Sequence, residues 1–163
     1  MKRGILFLLL CCLLGLVASA EGLPVTSQDM PTLSISDCQS TITLTDGVRR
    51  IEQGGAYHVV GQASGQLVVD AKGSDVTLLM DNVALSSPDG PVLWIQAASH
   101  VTILTVEGTQ SRLQDSPTYT LPENEEEPNA AIFSKADLSI GGKGELTVIG
   151  QYADGIVSKD SLT

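Results

Sequence analysis

The sequence has few basic residues. Nine Lys and Arg stand against 19 Asp and Glu, which gives a formal net charge of −10 at pH 7. Phosphate binding requires clustered Lys and Arg, so nucleic acid and anionic membrane surfaces are not expected as partners. The same acidity is compatible with divalent cations, whose preferred ligands are carboxylate oxygens.

Cysteine and the common catalytic motifs are scarce as well. Two of the three cysteines lie in the apolar N-terminal run, which leaves Cys38 alone in the rest of the chain, so no intramolecular disulfide framework is available. The isolated His58 and His100 form no zinc-binding pattern. No Gly-x-Ser-x-Gly nucleophile motif occurs, and the glycines at 141–144 lack the length and context of a phosphate-binding loop.

The N-terminus carries an export signal. Met1-Lys2-Arg3 is followed by an apolar run and then by Ala18-Ser19-Ala20, a pattern that predicts a signal peptide over residues 1–20. We therefore expect a protein that is secreted to the extracellular space or held at the cell surface, with no membrane insertion after cleavage. Lipid anchoring through a leader cysteine is the alternative to free secretion.

The remaining chain is predicted to be all-β. Residues 21–40 are rich in Pro, Ser and Thr and indicate a linker or N-terminal arm. Over residues 41–163, short runs of Val, Ile, Leu and Thr alternate with Gly, Asp and Ser, and helix signals are nearly absent.

A repeat gives the architecture. One strand recurs at Leu67–Asp70, Leu93–Gln96, Ile132–Lys135 and Ile156–Lys159. A second strand follows each of them, starting at Val76, Val101, Leu138 and Leu162, with spacings of 25, 37 and 24 residues. The long spacing contains a Pro- and Glu-rich insertion, residues 115–129. Further short strands are plausible at Val83–Leu85 and Leu146–Val148.

Three short strands in about 23 residues describe one coil of a parallel β-helix, in which each coil buries its apolar face only against its neighbours. A β-sandwich would have no reason to repeat the same residues in register. The sequence stops within a repeat, so we expect the domain to be incomplete at its C-terminus.

Strand alternation divides the first strand column into two faces. Leu67, Leu93, Ile132 and Ile156 are predicted to point inward. Val68, Trp94, Phe133 and Val157 are predicted to point outward, where Trp94 and Phe133 would offer a flat platform for sugar rings. The alternative is that the insertion folds over this face and covers it with Tyr119 and Leu121.

The segments 129–150 and 152–163, and less closely 54–87 and 91–115, resemble the calcium-binding, carbohydrate-binding family typified by exported cellulose- and pectin-binding proteins of clostridia. The resemblance implies a right-handed parallel β-helix similar to pectate-lyase folds, bound Ca²⁺, and binding of plant-wall polysaccharide without established lyase activity. One corner in this family commonly has the sequence Ser-Lys-Asp-Asp-Leu. Here the corners are Ser134–Leu138 and Ser158–Leu162, and each keeps a different one of the two acids.

Candidate metal ligands follow from these corners. Asp137 and Asp160 lie on adjacent coils with a stagger of one residue, about 6 Å apart along the backbone, so their carboxylates could share one calcium ion. Asp154 lies at the other end of the strand, about 20 Å from Asp160, and cannot bind the same ion. Asp75 is a further candidate in the same column. The alternative for each is an Asp that hydrogen-bonds its own turn.

Lys135 and Lys159 are adjacent in the strand column and are candidates for sugar contact, because a lysine can pair with a uronate carboxylate. The sequence thus predicts a secreted, non-catalytic protein that binds pectin- or cellulose-type polysaccharide with structural calcium. Two alternatives stay open: a calcium-dependent polysaccharide lyase with a lysine as base, and a structural or adhesive cell-surface solenoid.

Overall fold

The structure, a computed structural model, describes residues 32–124 and 127–163. The predicted signal peptide and residues 21–31 of the predicted linker lie outside this range. Among the described residues, no helix has the length and apolar character that crossing a bilayer requires.

The described residues form strands almost exclusively. A single 3₁₀ turn, Ile35–Asp37, precedes them. The strands are β1 (Ser40–Thr43), β2 (Gly47–Ile51), β3 (Gly55–Asp70), β4 (Asp75–Ser86), β5 (Leu93–Ala97), β6 (His100–Thr105), β7 (Gln110–Gln114), β8 (Ala130–Ser134), β9 (Asp137–Gly142), β10 (Glu145–Ile149) and β11 (Asp154–Ser158).

The strands stack in three parallel columns. The first column, which we call the groove sheet, contains β2, the end of β3, β5, β8 and β11. The second contains β1, the starts of β3 and β4, β6 and β9. The third contains Gln62–Ser64, Ala84–Ser86, β7 and β10. The chain visits the columns in turn, so each circuit adds one layer.

The register agrees with the sequence repeat. Val76 pairs with Val101, Val101 with Leu138, and Leu138 with Leu162. The 37-residue spacing is therefore one layer like the others, with additional residues placed between β7 and β8. The predicted all-β class and parallel strands are confirmed, whereas the right-handed sense of the coil stays a prediction.

The core lies between the three columns. Leu67, Leu93 and Ile132 are at most 2% exposed and belong to one continuous apolar cluster, against which Ile156 packs. Successive strand side chains point to opposite faces, so the outward column of the groove sheet is Val68, Trp94, Phe133 and Val157. The inward column thus accounts for the stacking, and the outward column is available for other contacts.

Candidate functional site

A groove lies on the outward face of the groove sheet. Its volume is about 390 Å³, within the range of ligand-binding clefts. We call it the insertion groove, because residues of the 115–129 insertion line it opposite the strands. Its lining residues are Gly47, Val48, Gly65, Gln66, Pro88, Asp89, Gly90, Pro91, Trp94, Thr120, Leu121, Pro122, Glu127, Pro128 and Lys135.

Trp94 lines the groove from β5. Its neighbours Leu93 and Ile95 point into the core, which directs the indole to the outward face. The indole Nε1 is buried and has no hydrogen-bond partner in the part of the chain that the structure describes. A buried donor without an acceptor is costly, so a ligand oxygen or a water at this atom would remove a penalty.

The two candidate lysines occupy different positions. Lys135 is exposed and lines the groove, and within residues 32–124 and 127–163 no carboxylate lies at ion-pair distance from it. Lys159, one layer along, forms an ion pair with Glu127 of the insertion. Lys135 therefore offers its charge to the groove, while Lys159 helps to hold the insertion.

A loop at residues 87–91 forms another wall of the groove and is tied to both of its neighbours. Gln66 Nε2 donates hydrogen bonds to the carbonyls of Asp89, at 2.7 Å, and Pro91, at 2.9 Å. The backbone N–H of Thr120 donates to Asp89 Oδ1 at 2.7 Å. The rim of the groove is thus held by short hydrogen bonds before any ligand arrives.

The start of the insertion is anchored by a buried carboxylate. Asp115 is 1% exposed and accepts hydrogen bonds from Gln151 N at 2.6 Å and Tyr119 Oη at 2.8 Å. Tyr119 stacks on Tyr152, with ring centroids 4.2 Å apart and planes 12° from parallel. Burial, followed by the hydrogen bond to Asp115, raises the pKa of Tyr119 above its ordinary value. Tyr119 therefore remains a neutral donor at physiological pH.

The outward column is partly covered. Phe133 and Val68 are 0% and 1% exposed although neither belongs to the central core cluster, whereas Trp94 and Val157 are only half-buried. Leu121 of the insertion lines the same groove as Trp94, while Tyr119 instead contacts Asp115 and Tyr152. Phe133 thus presents no face to a ligand in this structure, and Trp94 is the aromatic side chain that lines the groove.

The candidate metal ligands lie along one edge of the stack, with one exception. Asp75 pairs with His100, and His100 pairs with Asp137. Asp137 Oδ1 accepts hydrogen bonds from Ser161 Oγ at 2.6 Å and Ser161 N at 3.1 Å. These two bonds, the side-chain one first, lower the pKa of Asp137. Asp154 lies at the opposite end of β11, next to Ala130.

Calcium chemistry is compatible with the corner formed by Asp137 and Asp160. Both are hard oxygen donors, both contacts from Ser161 use Oδ1 of Asp137, and Asp160 is exposed. Among the described residues, however, no group of three or more Asp, Glu, His or Cys side chains is close enough to hold a metal ion. Calcium takes six to eight oxygen ligands, so most of them would come from backbone carbonyls and water.

Sequence reasoning missed the residues that build the groove rim. Asp115 stood only as the first residue of the insertion, and Asp89 precedes Gly90 in a pair that is common in turns. Gln66 carried no signal, because its partners lie 23 and 25 residues further along the chain. An Asp at the boundary of an insertion is the sequence pattern that would have suggested an anchor.

The fold is a solenoid-like stack of parallel strands, and the insertion forms one wall of the groove on its outward face. Residues 45–163 match the family described as carbohydrate-binding domain-containing proteins, and the chain belongs to that family.

Two individual comparisons agree with this assignment. A carbohydrate-binding domain-containing protein of Acetivibrio thermocellus is 28% identical over 141 residues, which are 85% of this chain and 46% of that one. The solved structure of a polysaccharide lyase-like protein from C. thermocellum, a gadolinium derivative, is similar with a TM-score of 0.71 and 25% identity. That similarity covers 75% of this chain and 56% of the other. The chain thus spans about half the length of the relatives it matches.

Proposed function

We propose that the protein is a secreted or cell-surface, non-catalytic carbohydrate-binding protein, with the insertion groove as its site and plant-wall polysaccharide of the pectin or cellulose type as its ligand. The proposal includes a right-handed coil and a structural calcium ion. Membership in a carbohydrate-binding family supports the ligand class. The export pattern of residues 1–20 supports the location.

The observation that carries the proposal is the pairing of Trp94 with Lys135 in one preformed groove. An indole face packs against the C–H face of a pyranose ring much as it packs against other apolar surfaces. The lysine can donate to hydroxyl groups or pair with a carboxylate. Hydrogen bonds around Asp89 and Gln66 hold the rim, which reduces the ordering cost of binding.

The test is calorimetric titration with oligogalacturonate and with cello-oligosaccharide. Trp94→Ala should weaken binding at least tenfold, and Lys135→Gln should weaken binding of the charged ligand more than of the neutral one. Lys72→Gln is the matched control, since Lys72 is an exposed lysine that does not line the groove. Equal affinities for wild type and Trp94→Ala would remove the groove from the proposal.

Calcium at Asp137 and Asp160 is the second part of the proposal. The register places the two residues on neighbouring layers, and a bound cation would offset the repulsion between stacked carboxylates. Its chemistry here is structural, because it would join the last layer to the one before it. Asp75 and Asp154 stay predicted ligands of separate ions.

Thermal unfolding with and without calcium tests this part. Calcium should raise the melting temperature of the wild type, since a ligand that binds only the folded state stabilises it, and Asp160→Asn should abolish the increase. Glu52→Gln is the control, because Glu52 is exposed and is not a predicted metal ligand. An increase lost in Asp154→Asn and retained in Asp160→Asn would place the ion elsewhere.

A second candidate function, calcium-dependent β-elimination on a uronan, is favoured by one observation: the solved neighbour is described as polysaccharide lyase-like. Lys135 in its neutral form would then accept the proton beside the uronate carboxylate, a carbon–carbon double bond would form as the glycosidic C–O bond breaks, and the leaving oxygen would take a proton from water. A bound metal would raise the acidity of the first proton. An unsaturated product absorbs near the ultraviolet edge. A rise in absorbance that Lys135→Gln abolishes and Lys159→Gln retains would establish the lyase over the binding protein.

A further inference from the structure

Tyr152 is the most exposed aromatic side chain in the described part of the chain. It is 42% exposed, whereas Tyr57 is 8% and Phe133 0% exposed, and Trp94 and Tyr119 are intermediate. One face of its ring lies against Tyr119 at a centroid distance of 4.2 Å. A ligand could therefore reach this ring only on the side that Tyr119 leaves open.

The position of the Tyr152 ring is fixed by contacts with Asp115 and Tyr119. Asp115 accepts a hydrogen bond from Tyr119 Oη at 2.8 Å and one from the backbone N–H of Gln151 at 2.6 Å, while Tyr152 N lies 3.5 Å from Asp115 Oδ2. Tyr119 Oη also lies 2.9 Å from the carbonyl of Ala130. Both tyrosines thus contact one buried carboxylate, Tyr119 through its hydroxyl and Tyr152 through its backbone N–H. Binding of a ligand to the Tyr152 ring therefore requires little further ordering of that residue.

The ionisable side chain nearest to Tyr152 along the chain, and the one bonded to its stacking partner Tyr119, are both acidic. Segment 150–155 contains a single ionisable group besides the Tyr152 phenol, Asp154, which is exposed, and the Asp115 carboxylate lies beneath the ring pair. A sugar that carries a carboxylate would be repelled at this position. A neutral pyranose ring offers an apolar C–H face to the tyrosine without that penalty.

We propose that the outer face of Tyr152 is a second sugar-binding subsite, distinct from the insertion groove, that takes a neutral pyranose unit. The inference rests on the proposed carbohydrate-binding function and adds a subsite and its sugar class to it. The insertion contributes to both places: Leu121 lines the groove, and Tyr119 supports Tyr152.

Calorimetric titration with cellohexaose and with oligogalacturonate tests the subsite. Tyr152→Ala should weaken cellohexaose binding about three- to tenfold and leave oligogalacturonate binding unchanged. Tyr152→Phe is the matched control and should bind as the wild type does, because it keeps the ring. Tyr152→Leu keeps apolar bulk without an aromatic face and should behave like Tyr152→Ala.

Trp94 is the only tryptophan, so its fluorescence reports whether these substitutions disturb the groove. Weaker cellohexaose binding with unchanged Trp94 emission supports the subsite. Wild-type affinity in Tyr152→Ala, or a loss confined to oligogalacturonate, overturns the inference alone. A wild-type protein that binds neither sugar overturns both the inference and the proposed function.

Discussion

At the scale of single residues, Asp115 joins the insertion to the rest of the fold. Its two carboxylate oxygens accept hydrogen bonds from the first turn of the insertion and from the corner that precedes β11. Because its carboxylate is buried, it depends on these donors to offset the loss of water. One carboxylate therefore joins the start of the insertion to Gln151, which lies 36 residues after Asp115 in the chain.

We expect Asp115→Ala to destabilise the protein by about 2–3 kcal/mol, because it removes the hydrogen bonds to a charged group that join the insertion to the corner before β11. Urea unfolding followed by circular dichroism measures the change. Glu52→Gln is the control: Glu52 is exposed, and surface substitutions of this kind change stability by about 0.5 kcal/mol or less. A similar midpoint for the two variants would show that Asp115 is not an anchor.

Asp137 should make the last corner sensitive to acid. Its pKa is lowered in the folded protein by Ser161, so its contribution to stability is present above the ordinary Asp value of about 3.9 and is lost as pH falls through the lower folded value. Amide exchange at Ser161 should therefore accelerate, relative to intrinsic exchange, between pH 5 and pH 2. In Asp137→Ala, protection of this amide should already be low at pH 5. Protection that is independent of pH in the wild type would contradict the assignment.

At the scale of strands and loops, close approach of neighbouring layers decides which side chains are tolerated. Gly65 of β3 pairs with Gly47 of β2, and a Cβ at Gly65 would overlap the carbonyl oxygen of Gly47. Both residues line the insertion groove. The groove thus begins where two backbones lie too close for a side chain.

Gly65→Ala should destabilise the protein by about 1–3 kcal/mol, as other forced overpacking does. Gly155→Ala is the matched control, because a Cβ at Gly155 of β11 meets no atom within 4 Å. Urea unfolding compares the two variants. Equal unfolding midpoints would mean that β2 can move away from β3 at no cost.

The strand columns were predictable from the sequence, and the path of the insertion was not. Leu67, Leu93 and Ile132 recur in register because each layer buries its apolar residues against the next. Stacking of the layers therefore requires a repeat in the sequence. Tyr119 and Tyr152 carry no such pattern. They meet only because Asp115 closes the start of the insertion, and that contact depends on a fold that must already exist.

Lys135 and Lys159 show the same difference between what the repeat predicts and what the insertion adds. Alignment of the internal repeats placed Lys135 and Lys159 in one column. Their strands do pair, through Ser134 and Ser158. Only the structure separates their surroundings, because the partner of Lys159 is Glu127 of the non-periodic insertion. The sequence therefore predicted which side chains are neighbours and could not predict which charge the insertion would neutralise.

At the scale of the whole molecule, each layer contacts mainly its neighbours, so stability should be close to a sum over layers. Removal of residues 151–163 should leave the earlier layers folded. It should also loosen the insertion, since Gln151 donates to Asp115.

Circular dichroism should then show a loss of β signal proportional to the residues removed, while the Trp94 emission shifts to the red as the groove opens to water. A truncated chain that is wholly unfolded would contradict the layer-by-layer account. An unshifted Trp94 emission would show that the insertion holds without the last corner.

The insertion enters at a corner between β7 and β8 and leaves the pairing of β6 with β9 undisturbed. Closing a longer loop adds only about 0.6 kcal/mol for each doubling of its length. Under the proposed function, this wall of the groove is exchangeable. A loop of different length and chemistry, grafted between Asp115 and Asn129 with the Asp115 anchor kept, should give the same scaffold a different sugar preference. Ligand choice in such a protein can then diverge much faster than the layers that carry it.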